Sequence, residues 1–110
     1  MTVELLWWDG CPSHPEALAD LERILREEGV DAQVERIEIE DDEQARSERF
    51  AGSPTIRIDG RDIVPPGEGE PHSLTCRVYR LRDGRISPKP DPEDVREAVR
   101  SAGCSVNWRR

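Results

Sequence analysis

The apolar positions fall into short runs divided by turn residues, and their spacing predicts an order of elements. Leu5, Leu6, Trp7 and Trp8 form a continuous apolar run, the pattern of a strand buried on both faces. Asp9-Gly10 stops it with a turn signal. The spacing then changes. Ala17, Leu18, Leu21, Ile24 and Leu25 make one face of an amphipathic helix. Pro12 and Pro15 fall at or just before its start, where backbone N–H groups have no partner to lose, and Gly29 is placed to end it. Val30 to Glu40 reads as a second strand. Its apolar parity shifts between Val34 and Ile37, so a bulge or bend is expected near Glu35-Arg36. Asp41 or Asp42 caps a short polar helix over Asp42 to Phe50, with Phe50 as its anchor.

The second half begins with a hairpin. Asp59-Gly60 sits between Ile56/Ile58 and Ile63, which predicts a type I′ turn. Pro54 has no N–H to give a ladder and should begin the strand, and Ser53-Pro54 is a bond where the cis form is accessible. Pro65 to Pro71 is a loop. Ser73 to Arg82 is ambiguous: Leu74, Cys76 and Val78 alternate as in a strand, while Leu74, Val78 and Leu81 fit a helical stripe. In both cases Cys76 is expected to point inward, Tyr79 to be core with its hydroxyl at the surface, and Arg77, Arg80 and Arg82 to form an exposed face. A last helix is capped by Asp91, carries Val95, Ala98, Val99 and Ala102 on its buried stripe, and should stop at Gly103. The organisation expected is one domain over residues 1–103 and a frayed tail over 104–110. A strand–helix–strand start followed by a hairpin makes an α/β sandwich, a small mixed sheet flanked by helices.

Composition narrows the partners. Of 110 residues, 24 are acidic and 16 basic, a net charge of −8. That argues against a nucleic-acid partner and against an anionic membrane surface. No apolar run approaches the ~20 residues of a membrane span, and no apolar segment follows a basic start, so the expected compartment is the cytoplasm, where thiols stay reduced. Three cysteines do not make a static disulfide framework. No phosphate-cradling glycine motif is present, and no cofactor is expected.

The candidate chemistry is at Cys11. A thiol delivered to a helix N-terminus faces unpaired N–H groups and the positive end of the helix dipole, which favour the thiolate. His14, three residues on, is positioned to turn back toward the sulfur and tune it. Zinc is a second use of these residues, since Cys11-x-x-His14 and His72-x-x-x-Cys76 supply two sulfurs and two nitrogens. A third reading is a non-catalytic binding module with Cys76 as core filler.

With a cysteine opening the first helix and Ser53-Pro54-Thr55 opening the third strand, the chain resembles the thioredoxin fold, over residues 2–64 and again over 91–102. In that family a cis-proline lies beside the active cysteine, and Pro54 matches it. The resemblance implies a thiol-based redox or thiol-transfer protein acting on a small thiol or a protein disulfide. On it Pro54 shapes the substrate groove; Ser53 and Trp8 are further candidate substrate-binding residues, although Trp7 and Trp8 read first as core and rim of the sheet. The departure is Cys11-Pro12-Ser13-His14, with His14 where the resolving cysteine of a Cys-x-x-Cys motif stands. The resolving partner must come from elsewhere, and Cys76 is the candidate: Cys11 attacks and Cys76 resolves. Gly-Cys-Pro-Ser-His, Gly-Ser-Pro-Thr-Ile-Arg-Ile-Asp-Gly and Leu-Thr-Cys-Arg-Val-Tyr also look like a group of small actinobacterial thioredoxin-like proteins labelled alkylmercury-lyase-like. That resemblance implies an alternative, organomercurial or soft-metal chemistry at Cys11 and Cys76 with Asp9 as a candidate carboxyl.

Overall fold

A computed structural model describes residues 1–67, 69 and 71–108, with side chains described through residue 102. The chain runs β1 (Val3–Trp7), α1 (His14–Glu27), β2 (Val34–Glu38), α2 (Asp42–Ser47), β3 (Thr55–Ile58), β4 (Arg61–Asp62), β5 (Tyr79–Arg80), β6 (Ile86–Ser87) and α3 (Pro92–Trp108). Four strands form one mixed sheet in the order β2-β1-β3-β4. β1 pairs parallel with β2 and antiparallel with β3, with Leu5 opposite Arg36 on one side and Ile56 on the other. β5 and β6 form a separate antiparallel pair.

Because successive strand residues point to opposite faces, β1 supplies both cores. Val3 and Leu5 face Ala17, Leu21, Ile24 and Leu25 of α1, Ile56 and Ile58 of β3, and Val95 and Val99 of α3. Leu6 faces the other way, into a smaller core with Ile39, Ala45 and Phe50. The sheet therefore lies between α1 and α3 on one face and α2 on the other. Leu5 and Leu6 are both fully buried, as the apolar run predicts, while Trp7 is half-buried.

Local signals set most boundaries. Asp59 (φ 53°) and Gly60 (φ 81°) both take the positive φ that a type I′ turn needs. The Asp41 side chain accepts from the Gln44 N–H and caps α2. Asp91 does the same for α3 through the Glu93 N–H at 2.9 Å. Three expectations are corrected. β2 is shorter than Val30 to Glu40, and Val30 and Ala32 reach the core from outside the strand. α2 stops at Ser47, and Phe50 reaches the core past Arg49, whose φ of 57° turns the chain. α3 continues through Gly103 to Trp108 instead of stopping there. The Cys104 side chain lies outside the described residues, as do Arg109 and Arg110 of the expected tail. Among the described residues no helix is long and apolar enough to cross a membrane.

Candidate functional site

Cys11 follows the turn that ends β1. The turn is tight: a Cβ on Gly10 would lie 2.5 Å from the Trp8 ring, so a side chain there would displace the indole. The Cys11 N–H donates to the Trp8 carbonyl at 3.0 Å, and α1 begins three residues later, at His14. Cys11 therefore stands just outside the helix, not in its first turn. Pro12 and Pro15 flank the helix start and keep the cysteine in the preceding turn.

The sulfur is enclosed, with Cys11 only 1% exposed. Its Sγ lies 3.2 Å from the Ser13 Oγ and, as a thiol, donates to the Ser53 carbonyl at 3.4 Å. The Ser13 hydroxyl has a second acceptor in reach, the Pro88 carbonyl at 3.4 Å. Burial pushes the Cys11 thiol up, but the Ser13 hydroxyl, the Cys76 thiol, the Ser13 N–H and Ser53 together outweigh it, and the pKa is lowered. Cys76 moves the other way: its interaction with Cys11, then burial, then the Cys11 charge raise it. Both cysteines are free thiols, and they meet at Ser53, whose carbonyl accepts from Cys11 and whose backbone bridges Cys76. Of the two, Cys11 is the thiol that gives up its proton first.

Long-range pairing brings Cys76 there. The Ser53–Pro54 peptide is cis, and Ser53 forms a parallel bridge with Cys76. The Ser53 N–H donates to the Thr75 carbonyl at 2.8 Å, and the Ser53 carbonyl accepts from the Arg77 N–H at 2.9 Å. The Ser53 hydroxyl is within 3.1 Å of the Trp8 N–H, from which it accepts. Of the sequence-predicted residues, Cys11, Cys76, Ser53 and Pro54 are brought together, with Trp8 on the turn above.

The segment around Cys76 is extended, but on the parity opposite to that expected. Arg77 and Tyr79 point inward, while Cys76 and Val78 are exposed, Val78 by 68%. The reason is a buried polar cluster. Arg77 donates to the Asp62 carboxylate at 2.7 Å, to the Thr55 hydroxyl at 3.2 Å and to the Val64 carbonyl, and its guanidinium lies 4.7 Å from the centre of the Tyr79 ring. A guanidinium with an ion-pair partner and matched acceptors is tolerated where an isolated charge is not. The Tyr79 hydroxyl is not at the surface. It donates to the Pro54 carbonyl, and burial pushes the phenol well above its ordinary pKa.

His14 is not on the sulfur. Its ring stacks on Trp7 at 4.3 Å, and Nδ1 donates to the Cys11 carbonyl at 3.0 Å. It ties down the backbone of the turn, and Ser13, unmarked by the sequence reading, takes the place beside Sγ. The signal for Ser13 was its position as the last residue before α1, where serine is a common cap; here it offers no capping bond to the helix and serves the sulfur instead. The zinc set does not assemble: among the described residues no three His, Cys, Asp or Glu side chains are grouped to hold a metal ion. Asp9 is exposed on the turn.

Beside Cys76 runs an open groove of about 430 Å³, lined by Ala51, Val64, Pro65, Pro66, Tyr79 and Arg80 among others. Compared with known proteins, the chain matches no family model, no curated protein and no solved structure.

Proposed function

We propose that this chain is a thioredoxin-like thiol protein whose working centre is the Cys11–Cys76 pair, cycling between dithiol and disulfide as it exchanges with a small thiol or a protein disulfide. The fold assignment is supported by the β2-β1-β3-β4 order, with helices on both faces and a cis-proline beside the cysteine that precedes α1. The observation that carries the redox reading is that Ser53 joins the two free thiols, its carbonyl accepting from Cys11 at 3.4 Å and its backbone bridging Cys76; the shifts of the two thiols, in opposite directions, agree with it. A lowered pKa supplies a thiolate and a good leaving group, and a protonated neighbour supplies the second sulfur. Oxidation removes two electrons and two protons from the pair and forms one S–S bond, and the substrate disulfide takes up both as two thiols.

The test is intact mass after mild oxidation, with peptide mapping under non-reducing conditions, on the wild type and Cys76→Ser. A Cys11–Cys76 linked peptide in the wild type, absent in the variant, is expected. Two freely alkylated thiols in the oxidised wild type overturn the reading. Adjacent thiols also favour a soft-metal reading at the same pair. Titration with Hg²⁺ and methylmercury distinguishes it, because tight binding that blocks disulfide formation, with no exchange against organic disulfides, would place the function there.

A further inference from the structure

The two sulfurs differ in access. Cys11 is 1% exposed, and the Thr75–Arg77 segment pairs with Ser53, whose carbonyl also accepts from Cys11 Sγ. That segment takes the Ser53 N–H and shares its carbonyl, so nothing extended can pair with Ser53 unless the segment leaves. The segment is held from behind by the buried Arg77 cluster and by Gly52. Gly52 has φ 143°, and a Cβ there would lie 3.0 Å from the Arg77 Cβ. Cys76, in contrast, is exposed and opens on the groove of about 430 Å³ beside the Pro65–Pro66 loop.

We propose that the sulfur which meets substrate is Cys76: an incoming thiolate enters through this groove and attacks Cys76 Sγ of the Cys11–Cys76 disulfide, expelling Cys11 as the leaving thiolate. This rests on the disulfide cycle proposed above and reverses the order expected from the sequence, in which Cys11 attacks and Cys76 resolves. In the first step RS⁻ forms an RS–SCys76 bond, the Cys76–Cys11 bond breaks, and its electron pair stays on Cys11 Sγ, where the Ser13 hydroxyl and N–H receive it. In the second step another thiolate of the substrate attacks the RS sulfur and expels Cys76, which takes a proton from solvent. The substrate leaves as a disulfide and the protein as a dithiol. A small disulfide reloads the pair by the reverse exchange. The lowered pKa of Cys11 agrees with this order, since the lower-pKa thiol leaves faster. The groove walls combine apolar Ala51, Val64, Pro65 and Pro66 with Arg80, which favours a thiol on a partly apolar stem.

The experiment uses the full chain carrying Cys104→Ser, oxidised to the Cys11–Cys76 disulfide, exposed briefly to 2-mercaptoethanol, quenched with acid and an alkylating agent, and mapped. The expected product carries mercaptoethanol on Cys76 and the alkyl group on Cys11, favoured at least about tenfold over the reverse adduct. Adduct on Cys11, or an even split, overturns the proposal and leaves the disulfide cycle standing. A disulfide that resists the thiol while a urea-unfolded control is reduced also overturns it, because the groove then gives no access. Failure of the disulfide to form at all overturns this proposal together with the cycle.

Discussion

Replacing Arg77 by Met keeps most of the buried stem and removes the guanidinium, which isolates the polar cluster behind Cys76. The Asp62 carboxylate loses its partner at 2.7 Å, the Thr55 hydroxyl loses a donor at 3.2 Å, the Val64 carbonyl loses its bond, and the Tyr79 ring loses its cation. Removing one member of a buried ion pair costs about 3–5 kcal/mol, chiefly because the other charge stays behind unpaired. The Asp62 side chain keeps 16% of its surface exposed, so water reaches it and the lower end applies, about 3 kcal/mol. For a chain of 110 residues that lowers the melting temperature by on the order of 10 °C. The assay is thermal unfolding of the reduced protein followed by circular dichroism, for Arg77→Met, Asp62→Asn and the double variant. The double variant should be less destabilised than the sum of the singles by at least about 1 kcal/mol, since the stranded carboxylate is gone. Arg77→Met should also weaken the proposed Cys11–Cys76 disulfide against a glutathione buffer, because Arg77 fixes the segment that presents Cys76. A melting temperature within about 3 °C of wild type, or strictly additive losses, refutes the assignment of this cluster as the support of the site.

Three further outcomes follow from the geometry. Ser13→Ala removes the hydroxyl 3.2 Å from Cys11 Sγ, so the thiolate absorbance of the reduced protein should titrate at higher pH than in wild type, while the variant folds normally. Gly52→Ala sets a methyl 3.0 Å from the Arg77 Cβ at a φ few non-glycine residues adopt; it should cost about 1–3 kcal/mol and slow disulfide formation, and unchanged denaturant midpoint and kinetics count against the close approach. Acid should destabilise the fold through carboxylates whose folded pKa values are lowered. Glu28 is held down by Arg100 and then Arg96, and Asp91 by the N–H groups of Arg82 and Glu93. Their contribution is complete above the ordinary carboxylate pKa of ~4 and is lost as pH falls through the lowered folded values. The melting temperature should fall steadily below about pH 4, and a flat profile to pH 2 would contradict it.

Much of the fold is legible in the residues alone. The α1 stripe, the Asp59-Gly60 hairpin, the Asp41 and Asp91 caps and the buried Leu5-Leu6 pair each depend on neighbours within a few positions, where periodicity and turn chemistry act directly. Chain-local reading also placed the reactive candidate at Cys11 and marked Ser53-Pro54. It misplaced His14, because the three-residue spacing puts two side chains on one face only inside a helix, and Cys11 is outside it. What only the tertiary structure decided is the second half of the site. Alternation along Leu74, Cys76 and Val78 pointed those side chains inward, yet Arg77 and Tyr79 are the ones buried. Apolar patterning assigns a guanidinium to solvent. It has no means of registering that Asp62, Thr55 and Val64, contributed by β3, β4 and the residues just beyond, converge to satisfy it. That convergence sets the parity of the segment, and with it Cys76 is exposed at the groove yet joined through Ser53 to the buried Cys11.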